Sequence, residues 1–102
     1  MDTPTIAKVN EDARGEIYVI TLPGDRELVL LHSKVGSIRG GHSHDVDELV
    51  VILTGKMRYH KLIEGGKQEI DLEGGQDSYN CAGDIHMGEF LEDSWVLEWK
   101  ID

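Results

Sequence analysis

The chain of 102 residues has room for one hydrophobic core, so a single domain over residues 1–102 is expected. Twenty acidic residues against 10 Lys and Arg give a net charge of −10, which repels phosphate backbones and argues against a nucleic-acid partner. One cysteine cannot close an internal disulfide, and no apolar run is long enough for a signal peptide or a membrane span; a cytoplasmic protein without membrane contact is expected.

Residues 1–14 are polar apart from a short apolar patch at 6–9, and read as a lead-in strand or an arm toward a second copy. In residues 15–22, Ile17, Val19 and Thr21 alternate with Tyr18, Ile20 and Leu22, the period of a strand. Pro23-Gly24-Asp25-Arg26 is a turn signal, and residues 27–35 form the next strand. His32 shares the parity of Leu28 and Leu30; it is either a backbone-bonded, half-buried histidine or part of a cavity wall. Residues 37–41 read as a loop whose one charge is Arg39. A guanidinium forks onto carboxylate or phosphate, so Arg39 is a candidate substrate-binding group; the alternative is an ion pair with a surface acid.

His42, His44 and Glu48 follow within seven residues. Imidazole and carboxylate are the usual ligands of divalent zinc, iron, manganese and nickel. A strand directs alternate residues to one face, so His42 and His44 point the same way. On a helix they would diverge by roughly 200° and could not share an ion. Glu48 has the same parity, and a turn at residues 45–47 brings it back. Asp45 and Asp47 in that turn are expected to face solvent, because unpaired buried acids are costly.

Residues 49–53 are β-branched and apolar, a buried strand. In residues 56–63 Met57, Tyr59, Lys61 and Ile63 share a side; Tyr59 is either core or a group reaching a pocket. Glu64-Gly65-Gly66-Lys67 is a hairpin signal, residues 68–72 return, and residues 77–81 make a short strand before His86. Cys81 reads as a small buried apolar side chain. In the last strand, residues 94–101, Trp95, Leu97 and Trp99 lie opposite Val96, Glu98 and Lys100. The two-tryptophan stripe reads as core or subunit interface. No segment shows capped helical periodicity, and twelve glycines among short strands point to an all-β sandwich or barrel.

The spacing of Gly36, His42, His44, Glu48 and Gly55 matches the first motif of the cupin family at every position, and the chain resembles a small single-domain cupin. In the stretch GQDSYNCAGDIHMGEF, Gly75, Gly83 and His86 stand at the offsets of the second motif, but Cys81 replaces the family's Pro and Phe90 its Asn. The resemblance covers roughly residues 29–99. It implies a jelly-roll barrel (double-stranded β-helix) with His42, His44, Glu48 and His86 as ligands of one divalent transition metal: Fe, Mn, Ni, Co or Zn. It implies small-molecule chemistry of one of two kinds, a dioxygenase or a non-redox isomerase, epimerase or lyase acting on a sugar-like or carboxylate metabolite. The alternative is a non-catalytic module that binds or senses a small ligand. Arg39, His32 and Tyr59 are the candidate substrate-binding residues. A two-fold homodimer is expected, with the strand around Ile6 or the Trp95/Trp99 stripe at the contact.

Overall fold

The period-two alternation becomes ten strands and no helix in the computed structural model, which describes residues 3–101. The first two residues of the expected arm, and residue 102 of the expected domain, lie outside the described residues. The strands are β1 (Thr5–Asp12), β2 (Gly15–Thr21), β3 (Glu27–Ser33), β4 (Ile38–His42), β5 (Asp47–Thr54), β6 (Lys56–Ile63), β7 (Gly66–Glu73), β8 (Asp77–Asn80), β9 (Ile85–Phe90) and β10 (Ser94–Ile101). A six-stranded sheet has the order β1-β2-β3-β10-β5-β8 and a four-stranded sheet the order β4-β9-β6-β7. Every pairing is antiparallel. This is the expected all-β, double-sheet jelly roll. No helix among the described residues is long and apolar enough to cross a membrane.

The inward faces meet in one core of Leu31, Val50, Ile52, Met57, Tyr59, Leu72, Phe90 and Val96. Phe90 takes a core position rather than the polar role of the asparagine in the family pattern. Each central strand is graded along its length. On β5 the inward residues run Glu48, Val50, Ile52; on β9 His86, Gly88, Phe90; on β6 Lys61, Tyr59, Met57. One end of the barrel is therefore apolar and holds it together by burial, while the other collects polar groups. The outward face of β10 carries Trp95, which stacks on His32 at 4.5 Å and on Tyr18 at 6.3 Å between ring centres.

Two segments differ from expectation. Residues 38–42 are a strand, not a loop, pairing with β9 through a bulge between Gly40 and His42. Gly40 and Gly41 both have positive φ, 99° and 89°, which breaks the alternation that sequence periodicity relies on. The bulge turns Arg39 and His42, of opposite parity, toward the same cavity. The N-terminal strand is longer than its apolar patch: β1 pairs with β2 from Thr5 to Asp12, and all its residues are exposed.

Candidate metal centre

The polar end of the barrel brings the four histidine and glutamate candidates together from both sheets. His42 and His86 are register partners on β4 and β9, and Glu48 comes from β5 in the facing sheet. His44 lies between β4 and β5, and its carbonyl accepts the Gly83 N–H at 2.8 Å, which ties the two motif loops to each other. His44 Nε2 is 3.3 Å from Glu48 Oε2, and His86 Nε2 is 3.6 Å from Glu48 Oε1. His44, Glu48 and His86 offer ligand atoms that all lie within 4.8 Å of one another. His42 stands beside that trio, its ring centre 4.7 Å from His44 and 5.6 Å from His86, but its nitrogens are not part of the convergent set.

The donor set fits a divalent cation. Glu48 Oε1 and His86 Nε2 are buried and have no hydrogen-bond partner. Such unmade bonds cost roughly 1–3 kcal/mol each, and a cation between the two atoms would satisfy both. Burial, reinforced by His44, His42 and Lys61, lowers the His86 pKa to about 4, so its ring is neutral and its lone pair available at pH 7.

Two hollows meet at the cluster. An interior cavity of about 280 Å³ is bounded by Arg39, His42, Tyr59, His86 and Glu98. An outer cleft of about 560 Å³ is bounded by His44, Glu48, Glu98, Arg26 and Lys100. Of the candidate substrate residues, two line the interior cavity. Arg39 is buried at 7 % exposure; its Nε donates to Ser33 Oγ at 2.7 Å and its second amino group to the His32 carbonyl at 3.2 Å. It forms no ion pair with a carboxylate among the described residues, so the surface-acid alternative does not hold. Tyr59 is both core and cavity wall, its ring 5.6 Å from that of His86. Its oxygen accepts from Asn80 Nδ2 at 2.7 Å, and burial raises its pKa, so the hydroxyl stays protonated and can donate.

His32 does not line the cavity. Leu31 and Ser33 face inward on β3, so His32 faces out, where its Nδ1 lies 2.7 Å from Glu16 Oε2 and its ring lies on Trp95. Its parity was legible; which parity faced inward was not. Cys81 is exposed, not buried, because the turn that would hold a proline places it outside the barrel. Asp45 faces solvent as expected, but Asp47 does not act as a free surface acid. Its carboxylate accepts the Tyr79 hydroxyl and, at 2.8 Å, the Ala82 N–H, and these bonds lower its pKa. It clamps the loop that carries Gly83 toward His44.

A further group went unnoticed in the sequence. Glu98 lines both hollows and has no hydrogen bond or ion pair among the described residues. The available signal was its shared parity with Val96, opposite the tryptophans.

No family model matches the chain, and no curated protein matches it. Among solved structures, it superimposes on a point variant of oxalate decarboxylase from Bacillus subtilis with a TM-score of 0.87 and 22 % identity, covering 99 % of this chain and 29 % of that one. KdgF from Halomonas sp. gives 0.77 and 18 %, covering 92 % and 85 %. CapF of Staphylococcus aureus, a capsular polysaccharide assembling protein, gives 0.80 and 22 %, covering 94 % and 30 %. The chain thus spans under a third of the oxalate decarboxylase it resembles. That decarboxylase is described with Mn(II) centres. These likenesses show a common barrel.

Proposed function

On the cupin fold that these structures share, we propose that the chain is a metal-dependent enzyme for a small carboxylate metabolite, acting by non-redox lyase or isomerase chemistry. His44, Glu48 and His86 would hold one divalent ion, with His42 as fourth ligand after a side-chain rotation. Bound there, the ion supplies Lewis acidity to a carbonyl or carboxylate oxygen. The chain's own residues do the rest. Arg39 holds the carboxylate, with guanidinium donors left over from its two neutral partners. Tyr59, oriented by Asn80, donates a hydrogen bond from its hydroxyl to a second oxygen of the substrate. Leu31, Val50 and Phe90 in the cavity wall exclude water.

The observation that carries this reading is Arg39: a buried cation that makes no ion pair among the described residues, in a chain of net charge −10, opening on the cavity that His42 and His86 share. A buried charge without a partner is costly, and an anionic ligand would be its counterion. The name of oxalate decarboxylase, a small dicarboxylate's enzyme, accords with it.

Elemental analysis of protein purified without chelators tests the metal, and a thermal-shift screen of small carboxylates on the loaded protein tests the ligand. About one ion per chain is expected, with stabilisation by carboxylates that Arg39→Gln abolishes. Turnover of the hit is expected without dioxygen and with several divalent metals. Metal contents near zero after reloading, or stabilisation equal in Arg39→Gln, would overturn the reading.

A further inference from the structure

Asn80 and Tyr59 are the end of a longer buried relay that crosses between the two sheets. Its members are Tyr59 and Lys61 from β6 and Ser78 and Asn80 from β8, and each is at most 9 % exposed. Lys61 Nζ donates to the Tyr79 carbonyl at 2.9 Å and to Ser78 Oγ at 3.5 Å. Ser78 Oγ donates to Asn80 Oδ1 at 3.2 Å, and Asn80 Nδ2 donates to Tyr59 Oη at 2.7 Å. Lys61 forms no ion pair among the described residues. A buried ammonium held by neutral oxygens alone is a costly group, and a methionine would fill much of the same space without that cost.

The far end of the relay dictates its direction. A lysine head group has donors and no acceptor, so Ser78 Oγ must accept from it and turn its own proton to Asn80 Oδ1. An asparagine amide has nearly the same shape when turned over, and its neighbours decide which atom faces which. With Oδ1 engaged by Ser78, Nδ2 is left to face Tyr59, whose oxygen accepts and whose proton is free for the cavity. Turned over, the amide would present Oδ1 to Tyr59 and take that proton away from a ligand.

We propose that Lys61 is a positioning residue: through Ser78 and Asn80 it sets the direction of the relay and keeps the Tyr59 hydroxyl turned toward the bound carboxylate as a donor. The inference rests on the carboxylate reading for its ligand, whereas the relay belongs to the free protein. Every proton stays on its own heavy atom, so the relay orients and does not transfer. Removing the Lys61 charge also changes the surroundings of His86, its register partner on β9; Ser78→Ala breaks the same relay and leaves the charge in place.

Two measurements test it. In nitrogen–proton correlation spectra of the ligand-free protein, the Asn80 side-chain amide is expected to show one slowly exchanging proton, and to shift and exchange faster in Lys61→Met. Lys61→Gln, polar but with an acceptor to offer Ser78, is a second variant at this position, and the same shift is expected of it. Calorimetric titration with glycolate of protein purified without chelators reads the consequence. Lys61→Met, Ser78→Ala and Tyr59→Phe are each expected to weaken glycolate about tenfold, the weight of one hydrogen bond to a charged ligand. Added to Tyr59→Phe, the other two changes are expected to cost no more than about twofold. An Asn80 amide unmoved by both Lys61 changes overturns the inference. So does wild-type affinity in Ser78→Ala, or a further tenfold loss when Lys61→Met or Ser78→Ala is added to Tyr59→Phe. Failure of the carboxylate reading looks different: glycolate then binds neither wild type nor variants, or binds Arg39→Gln as well as wild type, while the Asn80 amide still answers to Lys61.

Discussion

At the scale of single residues, the carboxylates around the site divide by what they touch. Glu48 is buried against His44 and His86; Asp47 clamps the neighbouring loop; Asp45 faces solvent. Metal affinity measured by competition with a chelator should fall in that order. Glu48→Gln is expected to lose more than the roughly 100-fold that supporting partners command, Asp47→Ala about tenfold, and Asp45→Asn nothing. Equal effects of the Asp45 and Glu48 changes would place the carboxylate ligand in the loop. The metal-free protein should also show two opposed pH dependences. His86 has its folded pKa at about 4, below the usual 6.5, so the unfolded chain takes the proton first and stability is lost as pH falls from 6.5 toward 4. Glu98 has its folded pKa at about 7, above the usual 4.5, so its contribution is present below 4.5 and lost as pH rises to 7. Melting temperatures of Glu98→Gln should therefore gain on wild type steadily from pH 5 to pH 8; parallel curves would contradict the assignment.

At the scale of elements, a strand was legible wherever apolar and polar residues alternate without interruption. β10 from Ser94 to Ile101 came out as read, and a hairpin formed at the expected glycines, although its turn lies at Glu64 and Gly65, closed by the Ile63–Gly66 pair, one residue earlier than the Glu64-Gly65-Gly66-Lys67 signal placed it. β4 did not, because Gly40 and Gly41 remove both side chain and alternation from the segment that carries Arg39 and His42. The nearness of His44, Glu48 and His86 in space was implied by the resemblance of two short motifs to those of the cupin family. Glu98 and the outward face of His32 were not legible, because period two tells which residues share a side and not which side is inside. The bulge also makes a test. A methyl group at Gly40 would lie 2.7 Å from the His86 carbonyl oxygen, at a φ of 99° that other residues avoid. Gly40→Ala is expected to cost about 1–3 kcal/mol, or ~5 °C or more in Tm, and to weaken metal binding with it. A melting curve like that of wild type would show that the strand straightens at no cost.

At the scale of the whole molecule, β1 is an edge strand with both faces open, and Ile6 and Val9 are 60 % and 58 % exposed. Exposed edges with apolar side chains are commonly covered by another chain, and we propose a two-fold dimer through β1. Trp95 is already stacked on His32 and Tyr18, which favours β1 over the tryptophan stripe as the contact. Light scattering should give twice the 11.4 kDa of the chain, and Ile6→Asp with Val9→Asp should halve it. The metal candidates also have a consequence for motion. Glu48 belongs to one sheet and His86 to the other, so an ion between them would be a cross-link between layers that touch at that end mainly through polar groups. Chelation should then leave the amides of β5 and β9 near Ile52 and Phe90 slow to exchange with deuterium, while those near Glu48 and His86 speed up. The barrel would behave as a hinged pair of plates, closed permanently at the apolar end and latched by the ion at the other.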